Sequence, residues 1–331
     1  MPEIPPPLHT ITARIDAAHE QRQEPPRPHL GCSIAGHHCE RWIWLSFRWA
    51  SIERFPGRVL RLFRRGQNEE ATIAEDLRLA GIYVTDDQKR VSWGGHVSGS
   101  IDGIATGVTK RPHLVEMKTH SLKSFKDLVK QGVQKSKPQH YGQMQLYMLG
   151  LGLERALYVS ICKDDDTYYT ERVHFDEEYA KKLLQKVTRL SLQNEMPPPI
   201  STDPSWYQCK FCPAHDFCHK SKLTKEVNCR TCAHSTPRGD GTWHCEVWKD
   251  TIPVEAQRTG CDAHVLHPDM VPWKLLPDQS TDTVAAYEVD GKVVLNGQDN
   301  ILSRELVANA SACTDEQVLK IREDFEGEIK G

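Results

Sequence analysis

His96-Val-Ser-Gly99-Ser-Ile-Asp102, Val115-Glu116-Met117-Lys118 and Gln143-Met-Gln-Leu-Tyr147 follow one another between residues 96 and 147, and their reading decides the fold. Apolar positions alternate through Val97, Gly99 and Ile101 and again from Leu114, while Lys110-Arg111-Pro112 interrupts them. That pattern predicts two strands joined by a turn, which sets Asp102 beside Glu116. The strand period of two places Glu116 and Lys118 on one face and turns Met117 into the core. Asp102, Glu116 and His96 make a hard, mostly oxygen-lined site for Mg²⁺ or Mn²⁺. The Met117 carbonyl adds a ligand, and Lys118 is placed to orient or deprotonate a water. Gln143 and Tyr147, four apart, share a helix face from which they reach a phosphate or hold Lys118. Taken singly these signals are common, since Glu-x-Lys decorates many exposed strand edges and Asp102-Gly103 is an ordinary turn. Their order carries the reading.

The combination closely resembles the PD-(D/E)XK nuclease superfamily in its RecB-like branch, whose H…GxxD, ExK and QxxxY motifs stand here as His96…Gly99-Ser-Ile-Asp102, Glu116-Met-Lys118 and Gln143-Met-Gln-Leu-Tyr147. The resemblance covers residues 32 to 219. It implies an α/β fold, an α-β-α restriction-endonuclease-like core with a central mixed sheet. It also implies an acidic residue on the helix before the first catalytic strand, a role that falls to Glu70 in Gly66-Gln-Asn-Glu69-Glu70, with Glu69 beside it. The activity implied is that of a Mg²⁺- or Mn²⁺-dependent DNA exonuclease of recombination, repair or phage genome processing, in a phage or prophage member of the family. A structure-specific endonuclease would use the same residues. A non-catalytic DNA-binding or adaptor protein on a nuclease fold is disfavoured, because every catalytic position is filled.

A chain of 331 residues allows one large domain or two modest ones. Its net charge of −3 does not announce a nucleic-acid partner. No apolar run reaches membrane-spanning length and the Pro-rich start lacks a signal peptide's apolar centre, so a cytoplasmic protein is expected, in the host cytoplasm if viral. No G-x-x-x-x-G-K-[ST] helicase loop and no deaminase H-x-E with P-C-x-x-C occurs.

Residues 1–30 read as a flexible Pro-rich arm around one helix from Thr10 to Gln23. A nuclease core over 31–220, a Cys-rich module over 221–268 and an acidic, small α+β subdomain over 269–331 follow. Between Arg41 and Arg65 seven Arg stand against one Glu, interleaved with Trp42, Trp44, Phe47, Trp49, Phe55 and Phe63. Arg for phosphate and rings for bases suit a single-stranded DNA track, and a buried aromatic face with solvated Arg is the competing reading. The segment from Lys118 to Gln143 holds six lysines and little apolar density, as a mobile basic clamp over DNA or a plain solvated connection would. His140 opens the next helix, where it faces the phosphate. Leu157–Lys163 and Thr167–Phe175 read as a hairpin whose Asp164-Asp-Asp166 tip is a turn rather than a metal site. A helix from Asp176 to Asn194 ends before Pro197-Pro198-Pro199.

Eleven cysteines in such a chain point to metal rather than disulfides. Cys209-Lys-Phe-Cys212 and Cys218 need a fourth ligand. In RecB-like nucleases with an iron–sulfur staple, the AddB type and CRISPR-associated members among them, a similar triplet is completed by one Cys before the core. Cys39 matches that position, which implies a [4Fe–4S] cluster on Cys39, Cys209, Cys212 and Cys218, with zinc as the competing occupant. Cys229, Cys232, Cys245 and Cys261 are spaced C-x₂-C-x₁₂-C-x₁₅-C, which suits a structural Zn²⁺, a second cluster being the alternative. Cys32, Cys162 and Cys313 are left as structural or free. From Asp269 onward thirteen acidic residues face six basic ones, which suits docking to a protein partner, mimicry of DNA charge, or plain solvation.

Overall fold

The computed structural model describes residues 10–86, 88–221 and 223–330, so residues 1–9 of the expected arm lie outside the described residues. Two units are present. The first comprises the chain up to Arg27 with Glu53–Ser92 and Ser98–Leu184. The second comprises Pro28–Ile52, Trp93–Val97 and the chain from Gln185 onward.

The first unit is built on a five-stranded mixed sheet. Its strands, in spatial as in chain order, are β1 (Tyr83–Thr85), β2 (Gly103–Thr106), β3 (His113–His120), β4 (Arg155–Cys162) and β5 (Tyr168–His174). Only β3 and β4 run parallel; the other pairs are antiparallel. A parallel neighbour needs a crossover, which α2 (Leu122–Ser136) and α3 (Pro138–Leu151) supply. On one face Val115 and Met117 of β3 and Leu157, Val159 and Ile161 of β4 pack with Ile73 and Leu77 of α1 (Gly57–Leu79). On the other face α3 reaches the sheet through His140, which meets Tyr158. The result is the expected α-β-α arrangement, with Glu116 and Lys118 on the α3 side and Met117 in the core. The β4–β5 hairpin forms as read, and its Asp residues act as turn groups: Asp165 accepts from the Thr167 N–H and Asp164 caps Leu122.

Two stretches of this unit are more ordered than their composition alone suggests. The lysine-rich stretch is a helix, because Phe125, Leu128 and Val133 are buried along one side of α2 while the lysines stay outside. It breaks at Gly132, whose φ of +72° admits no ordinary side chain cheaply, and the freed Val133 N–H donates to Glu171 at 2.8 Å. The expected arm is also tied down. Its helix Thr10–Glu20 pairs Asp16 with Arg61, and Glu20 accepts the Gly57 N–H at 2.8 Å, satisfying a donor that the start of α1 leaves open.

In the second unit the helix Glu40–Phe47 and the residues after it are core, which corrects the DNA-track reading for this part. Trp44, Phe47 and Trp49 are buried with Trp243. Two arginines share that core: Arg48 lies 4.8 Å from the Trp44 ring centre, and Arg230 lies 3.8 Å from Trp49 and 4.8 Å from Trp243. The Arg230 guanidinium donates to the carbonyls of Phe47 and Pro28 and to Gln257. Burial holds it near 9, well below the usual range, with Arg258 and Arg48 adding like charge. The cysteine-rich stretch folds Ser235–Pro237, Trp243–Cys245 and Asp250–Thr251 into a small antiparallel sheet, with Gly241 at φ +90° in the expected turn. The C-terminal hairpin Val284–Val289/Lys292–Gly297 turns at Asp290-Gly291, both left-handed, and Asp315 caps the helix Glu316–Asp324. No boundary falls at 268/269. Val265 and Leu266 share one apolar core with Ala285, Tyr287, Val289 and Leu306.

Back in the first unit, Gly99 explains one motif position. A Cβ there would fall well inside contact distance of the Tyr147 hydroxyl, which itself donates to the Ser100 carbonyl at 2.7 Å. Gly99→Ala is therefore expected to cost about 1–3 kcal/mol in denaturant unfolding, and Tyr147→Phe in the same chain to recover part of it.

Candidate active site

The antiparallel pairing of β2 and β3, with Gly103 opposite Val115, delivers Asp102 to the middle of β3. There the Asp102 Oδ2 accepts from the Met117 N–H at 2.8 Å and stands 3.3 Å from the Lys118 Nζ. Lys118 Nζ also lies 2.6 Å from the Glu116 Oε1 and donates to the Met117 carbonyl at 2.9 Å. Glu116 is wholly buried, and its Oε2 has no hydrogen-bond partner. Glu70 on α1 completes the group electrostatically, since it feels both Asp102 and Lys118. Its neighbour Glu69 adds to the negative charge around Tyr168.

The charges show what the arrangement lacks. Burial, then the Asp102 and Glu70 charges, push Glu116 up to about 8 against the pull of Lys118. Glu70 is raised too, by burial and then by Asp102. Burial disfavours the Lys118 ammonium, but Glu116 and Asp102 outweigh it and hold its pKa above the usual value. Three carboxylates around one ammonium leave surplus negative charge, and the site responds by holding protons. A hard divalent cation would relieve the same surplus. The donor set fits one: all oxygen, with the buried Glu116 Oε2 unpaired. Among the described residues no three His, Cys, Asp or Glu side chains stand close enough together to enclose an ion.

A family model of the PD-(D/E)XK nuclease superfamily matches residues 9–219, well over half of the chain. The chain belongs to that superfamily. PD-(D/E)XK nucleases generally use Mg²⁺ or Mn²⁺. Among solved structures, the fold is similar to an alkaline exonuclease of Laribacter hongkongensis, LHK-Exo, at 18% identity and a TM-score of 0.36, covering 54% of this chain and 90% of that one. SSO0001 matches at 14% identity and a TM-score of 0.40, covering 63% and 96% of the two chains. A phage-related exonuclease from Haemophilus somnus 129PT matches at 16% and 0.30, covering 38% and 68%. No curated protein matches.

Within this PD-(D/E)XK nuclease the other expected residues divide. Gln143 and Tyr147 lie on α3 of the first unit, both buried, and the Tyr147 hydroxyl fixes the backbone just before Asp102. His96 belongs to the second unit. There its ring stands edge-on to Phe47 at 5.1 Å and to Trp243 at 5.8 Å, and burial with the nearby Arg230 charge lowers it to about 4. Sequence reading missed His120 and Tyr158. His120 sits two residues beyond Lys118 on its own face of β3, and Tyr158 faces Glu116 across the parallel pair. The signal was a strand period carried one step further.

Both cysteine sets converge without reaching coordination distance. Cys39, Cys209, Cys212 and Cys218 line one cavity, and burial and the other three thiols push Cys212 up to about 11. Cys229, Cys232, Cys245 and Cys261 line another, where burial and the neighbouring thiols raise Cys232 to about 12 and the Trp248 N–H donates to the Cys245 sulfur at 3.5 Å.

The raised Glu116 makes a signed prediction for metal-free protein. Its folded value exceeds the unfolded one, so the folded state binds the extra proton and stability falls as pH rises from about 4.5 to about 8. Glu116→Gln should flatten that slope and be the more stable form at pH 8 in chelator. Denaturant titrations across this range check it; a parent whose stability rises over the window would contradict the assignment.

Proposed function

We propose that the protein is a Mg²⁺- or Mn²⁺-dependent deoxyribonuclease, an exonuclease acting on single-stranded or free-ended DNA in recombination, repair or phage genome processing. The observation that carries this is the gathering of Asp102, Glu116 and Lys118 at the centre of the sheet, with Glu70 beside them. Glu70, Asp102, Glu116 and the Met117 carbonyl would hold the ion, which when bound neutralises charge developing on the phosphate and acidifies a water. Lys118, kept cationic by its two carboxylates, orients that water or the phosphate. Tyr147 locks the turn that aims Asp102, and burial of Glu116 keeps bulk water away from the reacting group.

Support for a DNA substrate comes from α1 itself. Arg58, Arg61, Arg64, Arg65 and Asn68 line one shallow concavity of about 410 Å³ on the helix that carries Glu70. Arg61 is paired to Asp16, whereas Arg58 and Arg64 are exposed, as phosphate contacts require. The exposed lysines of α2 extend the basic surface. No helix among the described residues is long and apolar enough to cross a membrane, and a cytoplasmic place for the enzyme is part of the proposal. A protein partner for the acidic C-terminal stretch rests on charge alone, because Arg304 and Arg322 already pair Asp262, Glu328 and Glu305 within the unit.

The cysteine sets belong to the same proposal, a [4Fe–4S] cluster on Cys39, Cys209, Cys212 and Cys218 and a zinc ion on Cys229, Cys232, Cys245 and Cys261. Their support is the thiol chemistry and the shared cavities. A cluster would tie residue 39 to residue 209 and so close the stretch that contains Glu70, Asp102, Glu116 and Lys118.

End-labelled linear DNA and closed circular DNA should be compared in Mg²⁺ and Mn²⁺. Cleavage of the linear form alone is expected, with Asp102→Ala slower by a factor of about 100 or more while DNA binding persists. Full activity in Asp102→Ala would remove the site assignment, and nicking of the circle would make the enzyme an endonuclease. For the cysteines, anaerobically purified protein should contain iron and sulfide plus one zinc. Cys39→Ser should lose the iron, and Cys229→Ser the zinc. Two zinc ions and no iron would replace the cluster with a second zinc site.

A further inference from the structure

Beyond Lys118 the active-site face of the sheet continues into groups that the nuclease reading leaves unused. Glu116, Lys118 and His120 alternate along β3 onto one face, and the parallel neighbour places Tyr158 opposite Glu116. The Tyr158 hydroxyl lies 2.9 Å from the His120 Nε2 and 2.9 Å from the His140 Nδ1. The two imidazoles stack at 5.8 Å, and the Ser124 hydroxyl stands 3.4 Å from the His120 Nδ1. Tyr158 is fully buried, whereas His140, three residues before Gln143 on α3, is only half-buried.

A phenol has one proton. Bonded to two imidazole nitrogens, it donates to one and accepts from the other, so the three groups fix one another's tautomers. Both imidazoles are neutral near pH 7, His120 lowered to about 4 and His140 to about 3, by burial first and then by the lysine charges around them. In one arrangement the His120 Nε2–H donates to Tyr158, and Tyr158 donates to the His140 Nδ1. The His140 proton then sits on Nε2, and the Ser124 hydroxyl donates to the bare His120 Nδ1. In the other, every proton is reversed and the His140 Nε2 is bare. A phosphate oxygen, which accepts only, selects the first. The His140 Nε2 has no partner among the described residues and is not sealed in.

We propose that His140 is a substrate-contacting residue of the nuclease site, donating from its Nε2–H to an oxygen of the DNA phosphate, with Tyr158 and His120 as positioning residues that set its tautomer and orientation. The inference rests on the nuclease reading and deepens it. A neutral donor complements Lys118: it binds phosphate without adding a cation beside the ion that the carboxylates would hold, and an imidazole anchored through its other nitrogen keeps one direction.

Side-chain replacements separate this role from mere packing. Gln presents an amide nitrogen where the histidine Nε2 stands, and Asn an accepting amide oxygen where Nδ1 stands. His120→Gln should therefore keep the Tyr158 hydrogen bond and most of the activity that His120→Ala loses. His140→Asn also keeps the Tyr158 bond but lacks the outward nitrogen, so it should be as slow as His140→Ala. Tyr158→Phe and His140→Asn are each expected to lower kcat by about 10- to 100-fold with little change in KM and in melting temperature. Parent-like kcat in either would overturn the proposal.

A second readout does not need turnover. Histidine ¹⁵N spectra taken in Ca²⁺ with a short single-stranded oligonucleotide should show His140 adopting the Nε2–H form, and Tyr158→Phe should abolish that change. If the parent protein fails to cleave DNA, the nuclease reading falls. The proposal is then decided by the spectra, and His140 signals that do not move on adding the oligonucleotide would overturn it.

Discussion

A single backbone hydrogen bond organises the active-site unit. By accepting the Met117 N–H, Asp102 is pinned to the middle of a strand that is already flanked on both sides. The bond fixes how the β2–β3 hairpin is aimed and brings a second carboxylate within reach of the Lys118 ammonium. From that follow the raised carboxyls of Glu116 and Glu70, each pushed up in part by the Asp102 charge. Move Asp102 by one residue and the strand period would send its side chain to the opposite face, against Ile73 and Leu77.

The parts of this unit legible in the sequence are those with a short period. Alternation announced β3, the order of motifs announced the family, and the Asp-Gly turn at 290–291 announced the last hairpin. The alternation through Val97, Gly99 and Ile101 announced a strand that forms as Val97–Ser100 but pairs with Arg90–Ser92 in a separate sheet, while β2 begins only after Asp102. What stayed hidden depends on partners far along the chain. Nothing local to Arg48 or Trp49 says that they will be buried against Arg230 and Trp243, so arginines next to aromatics read as a nucleic-acid surface when they form a core. The surroundings of His96 stayed hidden for the same reason: the ring's neighbours, Phe47 and Trp243, come from segments 49 residues before and 147 residues after it. The reverse error occurred in α2, where four lysines drowned out three buried apolar residues on one helical side.

The two units differ in how they manage buried charge. In the first, unlike charges neutralise one another only in part, and what remains is chemically useful. In the second, Arg48 and Arg230 are stabilised by indole faces and main-chain carbonyls, with the Asp269 charge acting favourably on Arg48, a packing arrangement that rigidifies the aromatic cluster from within. The same residue type thus stands exposed along α1 and supplies cohesion inside the second unit.

The stretch from Pro28 to Ile52 finds its core partners only after Gln185. During synthesis the indoles of Trp44 and Trp49 emerge long before Trp243 and Arg230 exist, and at ribosomal speeds of about 5–20 residues per second that interval lasts about 10–40 s. For that time a sticky aromatic segment waits without the partners that cover it. A chain cut short before residue 230 would keep every carboxylate of the active site and still leave those indoles bare, prone to aggregation and dependent on chaperones.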